Sequence, residues 1–185
     1  MIASGNVLPV AYGLSSFLGA KGPVIAENGG IVCYRDKVHK LNGITAPLRA
    51  FEHLKERMPE VERLFTDNWR ETEIGLKRSN DLERIKAILA DWPVEIEVTG
   101  FAIHIMEQGQ SKLKGLMKGC ELLGIEIEDV LAFGDSDNDA RMLQGVGESV
   151  AVGNASPLAR QAAKYISKAE HGDGVIEGLR HYGVL

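Results

Sequence analysis

The feature that most constrains the fold is a short apolar run that leads into a cluster of acidic residues. The run Asp129–Phe133 predicts a strand that is apolar on both faces, which is typical of buried strands in parallel sheets. Directly after Gly134, within five residues, come three aspartates and an asparagine: Asp135, Asp137, Asn138 and Asp139. In open α/β sheets, ligands bind just beyond the carboxyl ends of strands. Crowded carboxylates repel one another unless a cation neutralises them, so the cluster favours a hard cation such as Mg²⁺ or Ca²⁺.

Two other interpretations of the acidic cluster are a calcium-binding EF-hand loop and a solvated surface turn. The spacing of the three aspartates matches the opening of an EF-hand, but that loop needs Gly at its sixth position and Glu at its twelfth. The chain has Ala140 and Val146 there, which excludes the EF-hand. The strand before the cluster and the helix pattern after it favour a ligand site, and a solvated turn stays open as the alternative.

Length and composition limit the classes of protein to which the chain can belong. The length of 185 residues suits one domain, or one domain with a modest insert. With 44% hydrophobic and 25% charged residues the chain is typical of globular proteins, and a net charge of −5 without a long basic run argues against nucleic acid as a partner. No apolar run is long enough for a membrane span, and no signal-peptide pattern is present. Cys33 and Cys120 lack metal-ligand spacing, so we expect reduced thiols and a cytoplasmic location.

The predicted elements follow an α/β order at both ends of the chain and a different order in the middle. Residues 1–42 and 105–185 predict a discontinuous α/β core domain, with helices at 8–18, 111–123, 141–144, 157–164 and 175–181. Residues 43–104 predict an inserted α+β domain, because a helix at 46–58 is followed by a strand at 73–77, a helix to Ala90, and strands at 94–98 and 100–106.

Polar residues that suit a phosphate ester stand at three points of this order. Ser4-Gly5-Asn6 precedes the first helix, where a hydroxyl and backbone N–H groups form a phosphate-binding arrangement. Lys112, at the start of the helix 111–123, adds a positive charge for the same anion. Carboxylates of the acidic cluster would hold Mg²⁺, which bridges phosphate oxygens to protein. Taken singly, Ser4 also fits a helix N-cap and Lys112 a solvated lysine, but the three together favour a phosphate site.

This order of residues resembles the haloacid dehalogenase-like phosphatases. Ser4-Gly5-Asn6 is similar to their second motif, Lys112 in Ser111–Gly115 to the third, and Gly134–Asp139 to the fourth, which is the most specific of the three. Two further segments match the subgroup with a large cap between the second and third motifs: Glu27–Gly30 and Asp173–Val175. In insert size and in the Ser-Gly-Asn motif, the chain is most similar to archaeal-type phosphoglycolate phosphatases. The resemblance covers nearly the whole chain, and the insert is its least specific part.

The resemblance implies a Rossmannoid α/β fold with an inserted α+β cap, and a magnesium-dependent phosphomonoesterase of carbohydrate metabolism that converts 2-phosphoglycolate to glycolate and phosphate. It also implies roles for individual residues. Phosphate contacts would come from Ser4, Gly5, Asn6, Lys112 and Asn138, and Mg²⁺ contacts from Asp135 and Asp139. The cap would close over a small phosphorylated substrate and set its identity. Arg70 is a speculative contact for a substrate carboxylate, with a surface arginine as the simpler interpretation.

The chain departs from the family pattern in one respect. The first motif, Asp-x-Asp-Gly-Thr, supplies the nucleophile and the general acid, and it is not present; only three residues precede Ser4. The chain therefore resembles a member without its first strand, its first helix and most of its second strand. Phosphoryl transfer through an aspartyl-phosphate needs a positioned carboxylate, so we expect little or no turnover from the chain as written.

The departure from the family pattern also bears on assembly and on the competing functions. A missing central strand would leave two apolar strand edges, and unpaired edges invite association, so a homodimer is a further expectation. Two alternatives to an enzyme follow. One is a non-catalytic phosphate- or metal-binding remnant, and the other is an α/β domain completed by a partner's strand.

Overall fold

The computed structural model describes all 185 residues, which form two compact units, Met1–Leu122 and Leu123–Leu185. The first unit contains β1 (Ile2–Ala3), α1 (Leu8–Phe17), β2 (Val24–Ala26), β3 (Ile31–Tyr34), β4 (Lys37–Lys40), α2 (Thr45–Arg57), β5 (Glu73–Lys77), α3 (Leu82–Ile88), β6 (Val94–Val98), β7 (Ala102–Glu107) and nearly all of α4 (Lys112–Leu123). The second contains β8 (Leu131–Gly134), α5 (Ala140–Gly145), β9 (Glu148–Ala151), α6 (Pro157–Ala162), β10 (Tyr165–Ile166) and α7 (His171–His181). None of the helices combines the length and the apolar character needed to span a membrane.

One sheet of the first unit has the strand order β1-β2-β3-β4. The pair β1–β2 is parallel, whereas β2–β3 and β3–β4 are antiparallel. Arg35 and Asp36 form the turn between β3 and β4, and both residues have the left-handed φ values, +49° and +62°, that two-residue hairpin turns require. All three residues of β2 are buried, so the parallel edge of this sheet is anchored in the core.

The second sheet of the first unit is antiparallel, with the order β5-β7-β6. Its apolar face packs with α2 and α3 in a buried cluster that includes Leu54, Ile74, Ile85 and Ile103. Asp81 caps the start of α3, because one of its carboxylate oxygens accepts a hydrogen bond of 3.1 Å from the backbone N–H of Arg84. This order of elements is the one predicted for the insert, and the proposal that residues 43–104 form a separate domain stays a prediction.

The sheet of the second unit is parallel throughout, with the order β10-β9-β8. The strand predicted at Asp129–Phe133 lies at Leu131–Gly134, because residues 127–129 form a turn of 3₁₀ helix. The expectation that this strand is buried on both faces is wrong, since only Ala132 is buried. The physical reason is that β8 is an edge strand that pairs only with β9.

The last helix begins earlier than predicted. The sequence placed the start of the helix at 175, after Gly172-Asp-Gly174, but α7 starts at His171. Gly174 allows close packing inside this helix, since a Cβ atom there would lie 2.5 Å from the carbonyl oxygen of Ala169.

Candidate active site

The loop Ser4-Gly5-Asn6 connects β1 to α1. It begins where the backbone N–H of Ser4 donates to the carbonyl oxygen of Ile25, at 2.9 Å, and it ends before Pro9 in the first turn of α1. The hydroxyl oxygen of Ser4 accepts a hydrogen bond of 3.1 Å from the backbone N–H of Asn6. With its oxygen engaged as an acceptor, the hydroxyl keeps its own hydrogen for donation to an anion.

A tight turn, Glu27–Gly30, holds this loop through backbone hydrogen bonds. The N–H of Asn28 donates to the carbonyl oxygen of Ser4 at 3.1 Å, and the N–H of Glu27 donates to that of Asn6 at 2.9 Å. Glu27 and Asn28 have φ values of +48° and +51°, which are uncommon for residues with a side chain. Such conformations persist where surrounding contacts impose them, and they cluster at functional sites.

The start of α4 packs against the same turn. A Cβ atom at Gly29 would overlap the carbonyl oxygen of Ser111, and one at Gly115 would lie 2.9 Å from the Cα atom of Gly29. Ser111 caps α4, since its hydroxyl oxygen accepts a hydrogen bond of 3.3 Å from the backbone N–H of Lys114. Lys112 is buried, with 7% of its surface exposed, so the interpretation of a solvated lysine is wrong. The structure thus brings the Ser4–Asn6 loop and Lys112 onto one turn.

A buried charged cluster, Arg70–Glu73–His104, lies beside the loop and was missed by sequence reasoning. The Arg70 side chain is fully buried and forms an ion pair with Glu73, so the interpretation of a surface arginine is wrong. Its Nη1 atom also donates a hydrogen bond of 3.0 Å to the carbonyl oxygen of Gly5. One local signal was available, because His104 interrupts the apolar strand β7.

Burial, neighbouring charges and hydrogen bonds shift the pKa values of two buried glutamates in this region in opposite directions. Burial by itself raises the pKa of Glu73, but attraction to His104 and Arg70, together with hydrogen bonds from His104 and Asn28, outweighs burial and lowers it below its usual value. Glu27 behaves differently. Its burial raises the pKa of the carboxyl group in spite of hydrogen bonds from Glu71 and Thr72.

The acidic loop of the second unit is closed by its last aspartate. Asp139 is 4% exposed, and its Oδ2 atom accepts hydrogen bonds of 3.1 Å from the backbone N–H groups of both Asp135 and Ser136. Gly134 makes room for this carboxylate, since a Cβ atom there would lie 2.6 Å from that of Asp139. Asp139 therefore shapes the loop, whereas Asp135 and Asp137 are exposed and Asn138 is partly buried.

Asp135 lines a cavity of about 230 Å³ at the carboxyl end of β8, together with Gly134, Asn154 and His171. No three His, Cys, Asp or Glu side chains are grouped closely enough to form a complete metal cage. Mg²⁺ is commonly bound by one or two carboxylates together with water and substrate phosphate, and an exposed Asp135 suits that mode. The assignment of Asp135 and Asp139 to the metal stays a prediction.

Comparison with known proteins identifies the family. Residues 53–179 match the haloacid dehalogenase-like hydrolases. The chain is 40% identical to the phosphoglycolate phosphatase of Methanothermobacter thermautotrophicus over 98% of this chain and 82% of the relative, and 36% identical to that of Methanosarcina acetivorans over 97% and 80%. A crystal structure of a Thermoplasma acidophilum protein superposes with a TM-score of 0.89 at 28% identity, covering 99% of this chain and 82% of the other. The chain belongs to the haloacid dehalogenase-like hydrolases, and we class it with the phosphatases of that family.

Proposed function

We propose that this chain carries the substrate-binding parts of a magnesium-dependent phosphomonoesterase acting on 2-phosphoglycolate. The substrate is proposed from the relatives, since those of Methanothermobacter, Methanosarcina and Halobacterium salinarum bear the name phosphoglycolate phosphatase. The observation that carries the phosphate site is the Ser4 hydroxyl, whose oxygen accepts from Asn6 at the start of a helix.

In this proposal the first unit binds the phosphoryl group. The hydroxyl of Ser4 donates to one phosphate oxygen, and the backbone N–H of Gly5 donates to another. Asn6 contributes to the same loop. Lys112 supplies a positive charge close to the turn that holds the loop, which balances the charge of the ester.

The acidic loop of the second unit would hold Mg²⁺, and this cation would supply the charge neutralisation that phosphate-ester hydrolysis needs. Asp135 would provide an exposed carboxylate oxygen. Asp139 would orient the loop through the amides of Asp135 and Ser136 and complete the metal contacts, with Asn138 in support. The antiparallel sheet β5-β7-β6 and its helices would form the cap that selects the substrate.

The 185 residues contain no Asp-x-Asp-Gly-Thr sequence, so we propose that on their own they bind phosphate but hydrolyse phosphate esters little. The alternatives are a non-catalytic phosphate- or metal-binding protein and an α/β domain completed by a partner. The proposal includes a cytoplasmic location, in keeping with two buried cysteines that form no disulfide, and self-association as a homodimer.

The test is phosphate release from 2-phosphoglycolate and from a generic aryl phosphate, with and without Mg²⁺. Three proteins are compared: the 185-residue chain, its Asp135→Ala variant, and an extended chain that carries the first motif. We expect turnover only from the extended chain and only with Mg²⁺. Turnover by the 185-residue chain that is lost in Asp135→Ala would contradict the proposal that the nucleophile is missing.

Phosphate binding is tested separately, by calorimetric titration of the 185-residue chain with inorganic phosphate. Ser4→Ala and Lys112→Ala should each weaken binding about tenfold, since each removes one donor to a charged ligand. Arg78→Ala is the matched control, because Arg78 is an exposed cation of the same unit. Equal binding by Ser4→Ala and the unchanged chain would refute the phosphate site.

A further inference from the structure

The three carbonyl groups of the Ser4–Asn6 loop are held in two different ways. Those of Ser4 and Asn6 accept hydrogen bonds from the backbone of the turn Glu27–Gly30. The carbonyl of Gly5, between them, accepts from the side chain of Arg70, 65 residues further along the chain. The orientation of the central peptide of the loop therefore depends on one guanidinium group.

The Gly5–Asn6 peptide sets the position of the Ser4 hydroxyl. A peptide group is planar and trans, so its C=O and N–H point in opposite directions, and fixing the carbonyl of Gly5 fixes the N–H of Asn6. The N–H of Asn6 donates to the Oγ atom of Ser4 at 3.1 Å. Glycine leaves its own peptide orientation loosely restrained, which makes an external restraint effective here.

Arg70 is itself held by the antiparallel sheet. Its ion pair with Glu73 is fully buried, and Glu73 also accepts hydrogen bonds from His104 Nδ1 at 2.8 Å and from Asn28 Nδ2 at 2.9 Å. Thr99 continues the chain of contacts, with its hydroxyl 3.0 Å from Nε2 of His104. Gly75 leaves space for the guanidinium, because a Cβ atom there would lie 2.7 Å from Nε of Arg70.

The cluster is not optimised for stability alone. The Nη2 atom of Arg70 is buried without a hydrogen-bond partner, which disfavours the folded state, and Nε has only an ion-pair contact of 4.0 Å with Asp67. Apolar residues of similar volume often replace buried ion pairs without loss of stability. A function that requires a donor at the Gly5 carbonyl explains why an arginine occupies this position.

We propose that Arg70 is a positioning residue for the phosphate-binding loop: it orients the Gly5–Asn6 peptide, and through that peptide the hydroxyl of Ser4. Glu73 and His104 act one step further away, by fixing the guanidinium. The inference rests on the proposed phosphate site at Ser4. It also gives Arg70 a role different from contact with a substrate carboxylate.

The test uses the 185-residue chain, inorganic phosphate and two readouts: calorimetric affinity and the amide NMR signal of Asn6. Arg70→Met alone would leave Glu73 charged, buried and unpaired, so the main variant is the double substitution Arg70→Met with Glu73→Gln, which removes both charges. We expect a cooperative unfolding transition, a shifted Asn6 signal, and phosphate binding weakened about tenfold. Arg70→Lys keeps a cationic donor and should restore most of the affinity.

The controls separate the possible failures. Arg78→Met, an exposed arginine exchanged for the same residue, should leave both readouts unchanged. If Ser4→Ala weakens phosphate binding but the folded double variant binds as well as the unchanged chain, the positioning role is refuted and the phosphate site stands. If Ser4→Ala has no effect, the phosphate site itself is wrong. If the double variant does not fold, Arg70→Lys and Arg70→Met decide: a folded Arg70→Met variant that binds phosphate as well as Arg70→Lys refutes the role.

Discussion

At the residue scale, Gly29 combines a backbone conformation and a contact that each exclude a side chain. Its φ value is +93°, and a Cβ atom would overlap the carbonyl oxygen of Ser111 at the start of α4. Gly109 has a similar φ value of +81° but open space around it. Substitutions at Gly29 and Gly109 therefore measure separately the free-energy cost of the left-handed conformation and that of the close contact.

We expect Gly109→Ala to lower the free energy of unfolding by about 1 kcal/mol, the usual cost of a left-handed conformation. Gly29→Ala should lower it by about 3 kcal/mol, because the contact adds an overpacking cost. Urea unfolding of the two variants measures both values. Equal losses would show that α4 moves away from the turn at little cost.

The lowered pKa of Glu73 predicts how the stability of the protein depends on pH. Because the pKa is lower in the folded state, the charged carboxylate stabilises the protein above its usual pKa of about 4.3, and this contribution is lost as the pH falls further. Glu73→Gln should cost about 3 kcal/mol at neutral pH, as expected for a broken buried ion pair, and progressively less below that pKa. Urea unfolding across the acidic range tests this, with exposed Glu83→Gln as the control.

At the element scale, two glycines of α7 differ in how closely their neighbours pack against them. Gly172 has open space around it, whereas Gly174 packs tightly against Ala169 and Val152. The sequence placed both glycines before the helix. The contact of Gly174 with Val152, which lies in an earlier part of the chain, could not be predicted from the local pattern. The helix forms since packing outweighs the weak intrinsic preference of glycine.

We expect substitution by alanine to have opposite effects at these two positions of α7. Gly172→Ala should raise the free energy of unfolding by roughly 0.5 kcal/mol, because alanine favours the helix and meets no neighbour. Gly174→Ala should lower it by about 2 kcal/mol through overpacking. Thermal or urea unfolding measures both, and a loss of stability in Gly172→Ala would contradict the assignment of open space.

Elements with a clear local pattern could be predicted from the sequence. The strand Glu73–Lys77 has the predicted bounds, and α4 follows its capping residue Ser111. Arg70 could not be placed, since a charged residue in a connecting segment is normally solvated, and its burial depends on Glu73 and His104 acting together. The order of the candidate site residues along the chain is visible in the sequence. The contacts of the turn Glu27–Gly30 with the loop and α4 could not be predicted, because they are long-range and leave no local pattern.

At the scale of the whole molecule, α1 carries an exposed apolar stripe. Val10, Leu14, Phe17 and Leu18 follow the spacing of one helix face, and Phe17 is 93% exposed. In addition, β1 and β8 each pair with a single strand of their own sheets. Exposed apolar stripes and unpaired strand edges are typical of surfaces that associate.

We therefore expect the 185-residue chain to self-associate as its concentration rises. Light scattering over the micromolar range measures the mean mass, and the combination of Leu14→Ser and Phe17→Ser should lower it. Phe65→Ser is the control, because Phe65 is also exposed but lies outside the stripe. A monomer at every concentration would contradict the prediction.

The hydrogen bond between Arg70 and the carbonyl of Gly5 also bears on how such a protein can diversify. An inserted segment is often treated as an exchangeable module, so that a new specificity follows from grafting the insert of a relative. Here a graft that lacks the equivalent of Arg70, or of the Glu73 that anchors it, would remove the hydrogen bond to the Gly5 carbonyl and so alter the Ser4–Asn6 loop. Recombination across this junction is therefore constrained to inserts that bring the same buried ion pair with them.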